Sequence, residues 1–290
     1  MAIDITPCSP ALGAEIRGVD LSQPLEDGTL QVLKDAWFEH LVLLFRDQDL
    51  TDHDLVRFSS YFGTCDKAPP NEAANKLSDG YSPDLPEVTI ISNVVVDGVE
   101  IGSLGASECA WHTDMSYNPE PADASALYAL EVPEAGGDTA FLNMYKAHDA
   151  LPDGLKERIG GRKAIHDATF TSAGGLRKGL APPTDVSKAP GAHHPILRTH
   201  PITGKTVLFL GRRTNAYIVG MDVAESEALL DEIWDYTTND DFVWTHQWRK
   251  GDVLLWDNRA VMHRRDDFDP SVRRLMHRTQ LKGEVPFYTG

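Results

Sequence analysis

Apolar residues in this chain come in short runs of about four to eight, each closed by Gly, Pro, Asn or Asp, and this rhythm limits the fold more than any other feature. Continuous runs such as HLVLLFR (40–46) and DVLLW (252–256) suit buried strands. Segments 87–96, 125–132, 138–143, 195–200, 205–210, 242–248 and 273–281 are further strand candidates, and 3–19 reads as strand, Gly turn, strand. Asp97-Gly98, between valines, is a hairpin signal. Helical spacing is confined to 30–40, with Asp27 as a cap, and to 52–62, 144–158 and 225–237. Short strands in both halves with few helices predict a mainly β chain, two sheets with helices packed outside. No composition break marks a boundary, so 1–290 is expected to be a single domain. The polar stretches 64–86 and 168–194 are long enough to serve as lids.

Charge narrows the function. With 27 Lys+Arg against 44 Asp+Glu the formal net charge is −17, which repels phosphate backbones and anionic lipid. Nucleic-acid and membrane partners are therefore not expected. A small anionic substrate would need local cations to overcome that field. Cys8, Cys65 and Cys109 fit no metal or redox spacing. No run of 18 apolar residues and no cationic leader is present, so a cytoplasmic setting is expected.

The sharpest local signal is Trp111-His112-Thr113-Asp114. On an extended strand residues i and i+2 share a face, so an imidazole and a carboxylate would converge. They are two thirds of the facial triad of non-haem Fe(II) oxygenases, although His-x-Asp alone also occurs on ordinary surfaces. His263, following the apolar strand and polar turn GDVLLWDNRAVM (251–262), is the candidate third ligand; a solitary His in such a place is also often structural. Arg274 and Arg278, four apart, would face one way on a strand, and buried guanidiniums call for a carboxylate or sulfonate. A solvated cationic strand face is the alternative.

Taken together, GAEIRGVDLSQPL (13–25), LVLLFRDQDLT (41–51), FSSYFG (58–63), WHTDMSY (111–117), GGDTAFLNM (136–144), HPITGKTVLFL (200–210), WRKGDVLLWDNRAVMH (248–263) and RRLMHRTQL (273–281) resemble, in order, the blocks of the taurine dioxygenase / 2,4-dichlorophenoxyacetate dioxygenase family. The resemblance covers nearly the whole chain and implies a double-stranded β-helix (jelly-roll, cupin-like) core. It implies Fe(II) held by His112, Asp114 and His263, with 2-oxoglutarate and O₂ as co-substrates. Thr139 matches the threonine that bonds the distal carboxylate of 2-oxoglutarate, and Arg274 matches its salt-bridge partner. Arg278 matches the arginine at the acid group of an anionic substrate. Trp111 and Trp256 are expected to pack around the site, and Asn258 and Arg259 to shape the turn before His263.

The implied reaction hydroxylates a C–H of a small organic anion, with succinate and CO₂ as co-products. Where sulfonate-specific relatives carry Asn, four residues before the first ligand, this chain has Glu108, a departure that weakens a taurine assignment. Segment 91–98 resembles the aryloxyacetate-degrading branch instead. Lys67 and Asn71 are lid candidates by position, and Arg212 and Arg213 could add charge near the pocket or form surface ion pairs. His193-His194 is set aside as a metal site, because neighbours on a strand point oppositely. A hydrolase or isomerase using the same ligands would leave Thr139 and Arg274 without a task. No ligand position is lost, as a silent scaffold would show, and desaturation or cyclisation is the alternative outcome. The resemblance also implies a dimer or tetramer, with Trp234 and Trp244 either in the interface or in the core.

Overall fold

The computed structural model describes residues 3–68, 83 and 85–290. Most of segment 64–86, including Asn71, lies outside the described residues. An eight-stranded sheet runs in the order Asp4–Pro7, Ala14–Arg17, Val42–Phe45, Val253–Asp257, Ala124–Glu131, Leu275–Leu281, Thr89–Ser92 and Ser103–Leu104. Alternation along its strands divides the apolar residues between two cores. Leu43, Phe45, Ala126, Tyr128, Val253 and Leu255 face outward, onto Leu33 and Trp37 of the helix Asp27–His40 and Leu55 and Phe58 of the helix Asp52–Ser60. Val42, Leu44, Leu127, Ala129, Leu254, Trp256 and Met276 face inward.

Opposite that inner face lies a four-stranded sheet in the order Val243–His246, Thr139–Asn143, Val261–Arg265 and Cys109–His112, which contributes Phe141 to the inner core and turns Leu142 and Met262 to its other face. Two sheets closed around one core form the expected jelly roll. Local chemistry fixes the ends of its elements. Thr51 and Asp54 form a reciprocal capping box at Asp52–Ser60. Asp97 (φ 50°) and Gly98 (φ 78°) take the left-handed conformations that a tight hairpin between Val95–Val96 and Val99–Glu100 needs.

Several boundaries differ from expectation. The predicted helix over 144–158 is two helices, Met144–Ala150 and Asp153–Ile159. Leu151 turns extended (ψ 135°) because Pro152 disfavours the helical conformation in the residue before it. The end of segment 168–194 is not loop. Gly191–Pro195 pairs with Lys163–Asp167, a strand whose KAIHD sequence gives no alternation, and tertiary pairing specifies both. No helix among the described residues is long and apolar enough to cross a membrane. Trp234 and Trp244 are half-buried against the inner core, with Trp244 stacked on Phe141 at 5.8 Å.

Candidate active site

His263 lies inside its strand, directly opposite His112 in the ladder, and the two rings sit 4.2 Å apart. Asp114 arrives differently from the strand alternation expected. The strand ends at His112, and Asp114 lies in the turn that follows, where Met115 is left-handed (φ 56°). Asp114 Oδ1 is 3.6 Å from His112 Nε2 and 3.9 Å from His263 Nε2. All three donors lie within 4.8 Å of one another. A single ion bound at about 2.1 Å would draw neighbouring donors to roughly 3 Å, a small contraction. The His112 Nδ1–H donates to the Ala110 carbonyl (2.8 Å), which leaves Nε2 as the free lone pair.

Electrostatics keep the donors in ligand form. Burial would raise the Asp114 pKa, but Arg278 Nη1 at 3.4 Å, then His263 and His112, hold it well below the usual carboxylate range. Burial, then the neighbouring His112, lowers His263 to about 3. Burial likewise lowers His194, whose Nε2 meets the Ser116 and Asn118 carbonyls at 2.9 Å, to about 4. A histidine whose folded pKa is depressed lends stability above its unfolded value of about 6.5 that is lost as pH falls through the folded value. The metal-free protein should therefore lose thermal stability between about pH 6.5 and 3. In His194→Gln that slope should be shallower above pH 4; an unchanged slope in a melting series would remove His194 from the account.

A polar chain behind Asp114 escaped the sequence reading. Ser125 Oγ donates to Asp114 Oδ2 (2.7 Å), Asn258 Nδ2 donates to Ser125 Oγ (3.0 Å), and Trp256 Nε1 donates to Asn258 Oδ1 (2.8 Å). Ser125 pairs with Trp256 and with Gln280 on neighbouring strands, so three strands fix the carboxylate plane. Asn258 thus does more than shape its turn, while Arg259 does brace it through both oxygens of Asp257. Partners of this kind are worth roughly 10–100-fold in metal affinity. Ser125→Ala should weaken Mn(II) binding by about tenfold, read by calorimetry; wild-type affinity in the variant would dismiss the chain as incidental.

Thr139 and Arg274 both meet Trp248, and the Arg274 guanidinium stands over its ring at 6.0 Å. The Trp248 indole N–H donates to Thr139 Oγ1 (2.9 Å), leaving the hydroxyl hydrogen free to donate elsewhere. Arg274 is 2% exposed, and its guanidinium is in no ion pair among the described residues; its Nε has no hydrogen-bond partner. Burial and then Arg265 lower its pKa to about 9. Gly136 and Gly137 (φ 77° and 71°) make the turn before Thr139. A Cβ on Gly136 would meet the Asp267 carbonyl at 2.8 Å, and one on Gly137 would touch Phe268 and Arg274 at 3.3–3.4 Å. A buried cation without an anion, beside a free hydroxyl and close to three metal-competent donors, fits a bidentate keto acid carrying a distal carboxylate.

A cavity of about 1080 Å³ opens at His112 and Asp114, lined also by Arg278 and by apolar residues including Ile90, Ile101, Leu104 and Leu281. Lys67 lines its wall. Arg212 does too, but its guanidinium is committed to the Thr171 and Asp167 carbonyls and to the Asp167 carboxylate. Glu108 does not reach this cavity; it is exposed and pairs with Arg264 at 3.7 Å. Arg213 pairs with Glu227 and Asp231, and Arg273 with Glu131, all outside the cavity. His193 and His194 join no metal-competent cluster among the described residues. Trp256 packs at 4.9 Å from the His263 ring, and Trp111 lies under Arg264.

Comparison with known proteins adds a line of evidence independent of this geometry. The model of the family described as taurine catabolism dioxygenase TauD, TfdA family matches residues 4–280. An (S)-phenoxypropionate/alpha-ketoglutarate-dioxygenase of Delftia acidovorans is 31% identical over 97% of this chain and 95% of its own. An alpha-ketoglutarate-dependent 2,4-dichlorophenoxyacetate dioxygenase of Cupriavidus pinatubonensis is 32% identical over 96% and 97%. A crystal structure of AAD-2 in complex with Mn(II) and N-oxalylglycine superposes with a TM-score of 0.79 at 30% identity, covering 99% of this chain and 100% of that one.

Proposed function

The chain belongs to the TauD/TfdA dioxygenase family, and from that premise we propose that it hydroxylates a small amphiphilic organic anion of the aryloxyalkanoate kind. It is a 2-oxoglutarate-dependent dioxygenase. Fe(II) on His112, Asp114 and His263, with 2-oxoglutarate and O₂, supplies the oxidation, with succinate and CO₂ as co-products. The protein supplies placement. Thr139 and Arg274 hold the distal carboxylate of the co-substrate. Ser125 and Arg278 keep Asp114 ionised and oriented. The apolar wall excludes water from the reacting centre.

The observation that carries the substrate class is Arg278. It is the cation paired with the triad among the described residues, 3.4 Å from Asp114, and it opens onto a cavity whose neighbouring wall is apolar: Ile90, Ile101, Leu104 and Leu281. An acid group on Arg278 would place an adjacent carbon toward the metal while an apolar body rests on that wall. Hydroxylation of a carbon bearing an ether oxygen leads to collapse into a carbonyl compound and a phenol. The test is a panel of aryloxyalkanoates, alkyl sulfates, sulfonates and phosphonates, read by succinate release. Aryloxyalkanoates should give the highest kcat/KM, and in Arg278→Ala their KM should rise while uncoupled 2-oxoglutarate turnover persists. Preference for an uncharged aryl ether, or unchanged KM in Arg278→Ala, would overturn the reading.

A further inference from the structure

Arg265 is a second buried arginine near Arg274, and the roles assigned so far leave it unused. It lies two residues beyond His263 on the same strand, hence on the same face. It is also the direct partner of Thr139 across the antiparallel ladder, so the two side chains share that face. Its guanidinium stands over the Phe268 ring at 5.4 Å, and Arg274 stands over the same ring at 5.9 Å. Arg265 Nη2 donates to the carbonyls of Leu104 (3.0 Å) and Ser107, and its Nε has no partner. Among the described residues neither arginine is ion-paired with a carboxylate. Two like charges in one buried crevice destabilise the empty protein unless an anion arrives to meet them.

We propose that Arg265 is a second cation of the co-substrate subsite, adding its charge to Arg274 and Thr139 in holding the distal carboxylate of 2-oxoglutarate. This rests on the co-substrate reading above. The bonds to Leu104 and Ser107 give the arrangement a further property: Leu104 lines the substrate cavity, so the cation that serves the co-substrate also tethers the wall that meets the substrate.

The experiment uses the full-length Mn(II)-loaded protein without O₂ and reads binding of two keto acids by calorimetry. One is 2-oxoglutarate; the other is 2-oxopentanoate, which carries a methyl group in place of the distal carboxylate. In Arg265→Gln, 2-oxoglutarate should bind about tenfold more weakly while 2-oxopentanoate is unchanged. Arg265→Lys, which keeps the charge and loses the fork, should stay within about threefold of wild type for both ligands, and it decides the matter if the glutamine variant does not fold. Equal weakening of both keto acids would reduce Arg265 to a structural brace, and no change in either would remove it from the subsite. Wild-type protein that binds the two keto acids alike would overturn the co-substrate reading itself, and the proposal with it.

Discussion

Asp114→Ala is expected to abolish divalent-metal binding at the triad and with it succinate release. The loss should exceed the roughly 100-fold that an outer-shell partner contributes, because a direct ligand is removed. More than one donor is lost. Without the carboxylate, Ser125 loses its acceptor and Arg278, half-buried at 16% exposure, loses its ion-pair partner among the described residues. An incoming metal would then meet two imidazoles and a repelling guanidinium. In anaerobic titrations with Fe(II) and 2-oxoglutarate the visible charge-transfer band should be absent in the variant and present in the wild type. Asp114→Asn, which keeps an oxygen acceptor for Ser125 but not the charge, should fall between them. Wild-type Mn(II) affinity in Asp114→Ala would place the metal elsewhere.

Arg274→Met is expected to act in opposite directions on binding and stability. Removal of a charge-assisted pair should raise the 2-oxoglutarate requirement by at least about tenfold. The same change relieves the metal-free protein of a buried, unpaired cation and should raise its melting temperature, on the order of 2–4 °C for each kcal/mol relieved. The sign follows from proton linkage. Burial holds the folded-state pKa at about 9, below the unfolded value, so the cost is complete below pH 9 and relaxes as pH rises from there. The stability gap between variant and wild type should therefore narrow above pH 9. A variant that is less stable at every pH, or that binds 2-oxoglutarate normally, would show that Arg274 has a purely structural partner.

These effects divide along what can be read from one dimension. His112, His263 and Arg274 are legible because strand runs and turn residues surround them in an ordered series. Asp114 lies beyond the end of the strand whose alternation points to it, in a turn whose geometry composition does not reveal. Ser125 was not legible, since a serine within ASALYALE reads as a small strand residue, and its role exists only where three distant strands meet. The arginines show the same limit. Arg212, Arg213 and Arg273 differ from Arg278 only in which acidic or carbonyl group the fold brings near, and sequence spacing does not encode that.

The ladder that joins Thr139–Asn143, Val261–Arg265 and Cys109–His112 sets how the molecule can vary. Along Val261–Arg265 side chains alternate between faces, so a one-residue slip of that strand would turn His263 and Arg265 outward and send Met262 and Arg264 inward. A frame error of a single residue there is as damaging as replacing both side chains. Length changes in connections that carry no site residue leave that frame untouched, whereas the turn that holds Asp114 tolerates none. Connections free of site residues can therefore differ in length without moving His112 or His263, whose spacing the ladder alone sets.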